Sequence, residues 1–333
     1  MTTLAERARA LEPLGFSPRQ ARFLATVALH GGYCLRRQYE VSAGVCYGKN
    51  VRAFLDGLVA RGVADRTIYR ADRGHVYHLH GRQLYRLVGL DTSRHRRPVS
   101  GPGVARRLMV LDHVLATPDI EWIATDADKV ALFAERQGVA RTVLPQQACP
   151  ASRTGGTTGV RYFPHRWPVA LMGQPAAVHF LALVTDALAR TLDAFLTDHA
   201  ALLAALPEWT VVAVAPKNST ALTKCHHTFQ RFLARPLSTL GTRIRDIRWY
   251  LTTRRATEQG DWAGLTVADL DRFRVERDRL DVATVDVLYR DWMTRGDAAL
   301  QARGAASVGS AGRLITVALP FDYSQFGSLP GVA

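Results

Sequence analysis

A chain of 333 residues, 47% hydrophobic and 22% charged, has the apolar material to bury the cores of two or three domains and is not a disordered polymer. No apolar run nears the ~18 residues of a membrane span, and four cysteines in this length exclude a disulfide framework. The formal charge is +14, of which residues 1–107 hold +12 and residues 108–333 only +2; so uneven a distribution suits a polyanionic partner, most simply nucleic acid.

The first residues, Met1 to Arg9, contain an acid and no apolar leader, so a cytoplasmic protein without a membrane partner is expected. Ser17-Pro18 is a cap followed by proline at the first helical position, and predicts a helix that Gly31-Gly32 ends. Tyr33 to Leu35 reads as an extended link. Arg36 to Ala43 reads as a second helix with Gly44 as the turn, and about Tyr47 to Arg61 as a third. Val51, Phe54, Leu55, Leu58 and Val59 form one apolar face of that third helix. Lys49, Asn50, Arg52, Ala53 and Asp56 lie off it, toward the half that in recognition helices reaches base edges.

Ala64 to Tyr69 and His75 to Leu79 are β-prone runs around an Asp/Gly turn, followed by a closing helix from Gly81 to Val88. The order of elements over 17–90 is that of a winged helix-turn-helix, with Arg66, Arg70 and Arg73 on the wing placed to meet phosphates. Arg36 and Arg37 on the second helix join the same candidate set. His75, His78 and His80 lack the further ligand that a metal site needs and are expected on the surface. Cys34 and Cys46 are expected as small core residues.

Residues 91–103 are rich in Arg, Pro, Gly and Ser and read as a basic linker between a 1–90 DNA-binding domain and a 104–235 mixed α/β domain. Arg94, Arg96 and Arg97, with Arg106 and Arg107 just beyond, are candidates to lie along phosphates. Val104–Ala116 and Asp126–Gln137 are predicted helices, and Glu121–Ala124 a short strand. Ala148 to Val160 is a predicted loop pivoting on Gly155-Gly156. Strands are predicted at Arg161–Phe163, Pro168–Met172, Val178–Val184 and Trp209–Ala215, with helices at about Ala187–Leu206 and Leu222–Ala234.

Three stretches carry a resemblance: Arg161-Tyr-Phe-Pro-His165, Val178-His-Phe-Leu-Ala-Leu-Val-Thr-Asp186 and Val211-Val-Ala-Val-Ala-Pro216. They resemble the replication-relaxation type of mobile-element protein, which implies a winged helix followed by a restriction-endonuclease-like α/β core. An active nuclease of that kind needs an acid after the first strand and an acid-X-Lys on the next to hold Mg²⁺. Here His165 stands in the first place, no acid-X-Lys follows, and Asp186 is alone. The core is therefore expected to be degenerate and non-catalytic, and the fold class to be α+β.

Residues 236–303 are expected as a basic helical region carrying Arg243, Arg245 and Arg248 as further DNA contacts. Leu270, Phe273, Leu280, Thr284 and Val287 follow a near-heptad. Such an arm packs either on its own chain or in a homodimer or partner complex. Residues 304–333 read as a linker with Gly304–Gly312, then a terminal strand and tail.

No tyrosine-recombinase set surrounds Tyr323, there is no phosphate-binding Gly-Lys-Ser/Thr loop, and Cys225-His226-His227 are adjacent rather than spaced for one metal. No catalytic residue, cofactor or metal is expected. The architecture as a whole is similar to accessory cointegrate-resolution proteins of large transposons. That resemblance implies binding to double-stranded DNA at an inverted-repeat site beside a tyrosine recombinase. A transcriptional regulator of a mobile element and a metal-dependent nuclease are the alternatives.

Overall fold

The computed structural model describes residues 2–46, 48–69, 74–149, 159–173, 176–185, 191–233, 238–279, 282–300 and 311–326. The chain is a mixed α+β protein with several small sheets.

A short helix α1 (Leu4–Arg9) leads into α2 (Pro18–His30). Ser17 caps α2 reciprocally with Gln20, and Pro18 occupies the first turn, where its missing N–H costs nothing. β1 (Tyr33–Leu35), α3 (Arg36–Ala43), α4 (Lys49–Ala60), β2 (Ala64–Ile68), β3 (His75–Leu79) and α5 (Arg82–Leu87) follow. The three strands form an antiparallel sheet in the order β1-β3-β2, with Cys34 opposite Tyr77 and Ala64 opposite Leu79.

Side chains on a strand alternate between faces, and here both faces are used. Cys34, Ala64, Tyr77 and Leu79 join Phe23, Leu24, Val27, Phe54 and Leu55 in one core. Tyr33, Leu35 and Val76 face a second core built on α6 (Gly101–Ala116). Cys46, expected in the core, is exposed, because it falls in the turn between α3 and α4 rather than on a packed face.

Residues 91–103 are not a free tether. Their basic composition hides a packed connection: the Nε2 of His78 bonds the His95 carbonyl at 2.9 Å, and the Val99 N–H donates to the Tyr33 hydroxyl at 3.1 Å. Gly101 and Gly103 are already buried inside α6, which starts three residues earlier than its apolar period suggests.

After α6, Ile123 makes a single bridge to Val169 in place of the predicted short strand. Thr125 caps α7 (Asp126–Ala131), which relaxes into a π turn over Leu132–Arg136. β4 (Gln146–Cys149) and β5 (Gly159–Tyr162) form a two-stranded ribbon of their own. The predicted Gly155-Gly156 pivot lies outside the described residues.

The central sheet is β6 (Val169–Met172), β7 (Ala177–Leu183), β8 (Glu208–Ala215) and β9 (Ala311–Ala318), in that order. β6 runs antiparallel to β7, while β7, β8 and β9 are parallel. β8 is apolar on both faces, as a central parallel strand must be. Phe180, Ala182, Val211 and Ala213 pack under α8 (Thr191–Ala205) and α9 (Ala221–Leu233). Leu181, Leu183, Val212 and Val214 pack on the α6 side.

The terminal strand expected after the 304–312 linker is β9, which begins inside that expected linker and completes the central sheet. Gly312 is a strand residue, and a Cβ there would stand 2.5 Å from the Trp209 ring. Between β8 and β9 the chain also makes α10 (Ser238–Gln259), α11 (Val267–Arg279) and α12 (Val282–Arg295). These helices share a core of Tyr250, Leu251, Leu288, Tyr289 and Trp292, with the Phe273 ring 5.0 Å from that of Tyr250. Part of the near-heptad is thus used within the chain; the side chains of Leu280, Thr284 and Val287 lie outside the described residues.

Candidate nucleic-acid interface

α4 follows Gly48 at its N-cap and buries Val51, Phe54, Leu55 and Leu58. The Phe54 ring meets Tyr39 at 4.4 Å and Phe16 at 6.4 Å, which fixes the rotation of the helix about its axis. Its first turn therefore presents Lys49, Asn50, Arg52 and Ala53 to solvent. No hydrogen bond or ion pair ties the Lys49, Asn50 or Arg52 side chains to other described residues. A helix N-terminus with free N–H groups and a cation at each end of this turn favours anionic groups.

Arg66 on β2 is exposed and pairs with Asp56 on α4 at 2.9 Å. That contact is a surface ion pair of small worth, open to exchange for a phosphate. Arg36 is exposed and pairs with Glu40 one turn along its helix at 3.2 Å. Arg94, Arg97 and Arg106 are exposed. Arg70 and Arg73, expected on the wing, lie outside the described residues, as do the side chains of Arg243 and Arg245. Arg248 is half-exposed and pairs with Asp297 at 2.8 Å, far along the chain in the helical insertion.

Three of the expected phosphate contacts are structural instead. Arg37 reaches Asp112 on α6, with Nη2 to Oδ2 at 2.8 Å, and lies 3.4 Å over the Phe321 ring. The hydroxyl of Tyr323 donates to the same carboxylate. Burial and the adjacent Asp112 charge push the Tyr323 hydroxyl pKa well above its usual value, so it stays a donor. Arg107 donates to the Gly31 carbonyl at 2.9 Å and lies over Tyr33. Arg96 donates to the His80 carbonyl at 3.2 Å and is only partly exposed. A guanidinium that holds a backbone carbonyl inside a junction is not free to follow a phosphate backbone.

The histidines divide in the same way. His75 is part-exposed, but His78 is buried and stacks on Tyr33 at 4.3 Å. No group of three or more His, Cys, Asp or Glu able to hold a metal occurs among the described residues. His165, at the place of the missing acid, bonds Asp198 at 2.8 Å; Asp186 lies outside the described residues. Two basic residues not singled out from the sequence, Arg161 and Arg166, line a cleft between the N-terminal unit and the central sheet, beside Arg94 and Arg106. Nothing in the local sequence pattern marks them, because what brings them together is the packing of distant elements. No family model, curated protein or solved structure matches the chain.

Proposed function

We propose that the chain is a sequence-specific, non-enzymatic DNA-binding protein of a mobile element, acting as an accessory factor in cointegrate resolution beside a tyrosine recombinase. In this reading residues 17–90 are a winged helix-turn-helix, and the central sheet is a degenerate restriction-endonuclease-like scaffold. One observation carries the DNA-binding part: the first turn of α4 holds Lys49, Asn50 and Arg52 exposed, on a helix whose opposite face is locked into the core of a unit of net charge +12.

The mechanism is a division of labour. α4 enters a major groove, where an asparagine pairs with adenine and an arginine with guanine. Arg66 and Arg36 exchange their surface partners for phosphates and set the register. The α10–α12 insertion is the surface for a second protomer or the recombinase.

The test is footprinting on the DNA that flanks the gene, with inverted repeats as the expected target. Replacing Asn50 and Arg52 together by alanine should abolish the footprint while leaving weak general binding, at ~1–3 kcal/mol per lost base contact. A footprint that survives this double change would remove α4 from the reading. Lys49→Ala and Arg66→Ala should weaken all DNA alike and reduce the dependence of affinity on salt.

A further inference from the structure

The cleft where the N-terminal unit meets the central sheet has two adjoining lobes, of 470 and 490 Å³, that share Leu29, His95, Ala124 and Arg166 in their walls. Its walls are strongly cationic. Arg94, Arg161 and Arg166 line one lobe, and Arg106 lines the other. None of the four has an ion pair within 4 Å among the described residues; of the two acids of the lining, Asp128 pairs with Arg7, and Asp126 faces both Lys129 and Arg161, which leaves Arg94, Arg106 and Arg166 without an acid opposite them.

The wall also carries polar atoms the fold itself does not use. His30 and His95 both line the cleft, and the Nδ1 of each is buried without a hydrogen-bond partner among the described residues. Lys129 sits just behind, fully buried, its Nζ 3.9 Å from Asp126 and without a hydrogen bond. Native interiors pair their buried polar groups, so a cluster of unpaired ones beside a cavity marks a place where a partner is missing.

The backbone adds a separate mark. Phe163 and Arg166 hold φ of 51° and 58°, the left-handed region that side chains avoid. This turn delivers Arg166 to both lobes and His165 and Trp167 to the second. Strain of this kind persists where the surrounding structure requires it, and it clusters at ligand sites.

We propose that this cleft binds a nucleotide by its phosphate. Several unpaired guanidinium groups match the many acceptor oxygens of a phosphate monoester better than the two of a carboxylate. The second lobe offers the Trp167 ring together with Val99, Val110 and Leu183, which suits an attached nucleoside and is more room than a bare phosphate fills. The nucleotide is either free or the 5′-phosphorylated end of a DNA strand.

The test is calorimetric titration of the full chain with deoxyadenosine monophosphate, deoxyadenosine and inorganic phosphate. The monophosphate should bind at least tenfold more tightly than the nucleoside. Arg166→Gly removes the cation and relieves the left-handed strain, so it should weaken monophosphate binding at least tenfold without lowering the melting temperature. Arg94→Ala, on an exposed turn, provides the same readout if Arg166→Gly folds poorly. Competition by a 5′-phosphorylated oligonucleotide but not its 5′-hydroxyl twin assigns the site to a DNA end; competition by neither assigns it to the free nucleotide. Equal binding of nucleoside and monophosphate, no binding of either, or unchanged binding in both variants would overturn the proposal. The Asn50/Arg52 double variant should bind the monophosphate normally, which separates this cleft from the role of α4.

Discussion

Arg37, Asp112 and Tyr323 come from three distant parts of the sequence and meet at one carboxylate. Removing that carboxylate leaves a half-buried guanidinium and a buried phenol without their acceptor. Asp112→Ala should therefore cost roughly 3 kcal/mol in urea denaturation, and Tyr323→Phe about 1 kcal/mol. Lys129 presents the opposite case, since burial lowers its pKa to about 8 and no hydrogen bond compensates. Because Asp126 faces it at 3.9 Å, the charges are best removed together: Lys129→Met with Asp126→Asn should raise stability at pH 7 by roughly 1–2 kcal/mol in urea denaturation, whereas Lys129→Met alone strands Asp126. Acid should unfold the chain through its histidines. Burial, helped by nearby cations, lowers His30 and His95 to about 3; burial alone lowers His113 to about 4. The unfolded chain then binds protons that the folded chain refuses. Stability is complete above pH 6.5 and falls as the pH drops toward 4, by on the order of 1–2 kcal/mol per histidine at pH 5; melting curves between pH 7 and 4 measure it. None of these partners was legible in the sequence. Arg36 and Arg37 are indistinguishable as letters, and what separates them is an aspartate 75 residues away.

At the scale of elements, local signals read well where the cause of the structure is local. The Ser17-Pro18 cap, the Gly44 turn and the β2–β3 hairpin all form within a residue or two of where composition places them. The exposed face of α4 follows from its apolar spacing alone. Elements whose reason is distant do not show it in their own residues. The 91–103 segment looks like a tether because its contacts are to backbone carbonyls and hydroxyls, which leave no hydrophobic period. β9 is legible as a terminal strand, but its place in the central sheet is not, because its partner β8 lies about a hundred residues upstream. The turn between α2 and β1 offers a direct check on the first point. Gly32 has φ of +76°, and a Cβ there would stand 2.6 Å from the His95 carbonyl oxygen. Gly32→Ala should destabilise by roughly 2–4 kcal/mol, from strain and from forcing the 94–99 segment off the sheet. Equal urea midpoints for the variant and the parent would show that this segment adds nothing to the fold.

Across the whole molecule, the N-terminal unit is not an independent head on a stalk. Arg7 pairs with Asp128 at 2.8 Å, the Leu4 N–H meets Glu121, and α6 packs against both the N-terminal sheet and the central one. Any force applied to α4 is therefore passed on toward the central sheet, and the cleft lies across that path. Removing residues 311–333 should leave β8 with an unpaired edge and strip Tyr323 and Phe326 from the α6 core. Such a truncation should express as aggregate, whereas loss of α4 side chains should not; the soluble fraction after expression distinguishes them. The pairing of β8 with β9 also sets an order in time. Glu208 waits for Ala311, an interval of about 5–20 s on a ribosome adding 5–20 residues per second. During those seconds the N-terminal unit already has the partners of its own core, while an apolar strand stands open behind it. A cell making this protein would therefore hold a chain with one core closed and another still waiting for its last strand, and chaperone demand should fall on the second half of synthesis.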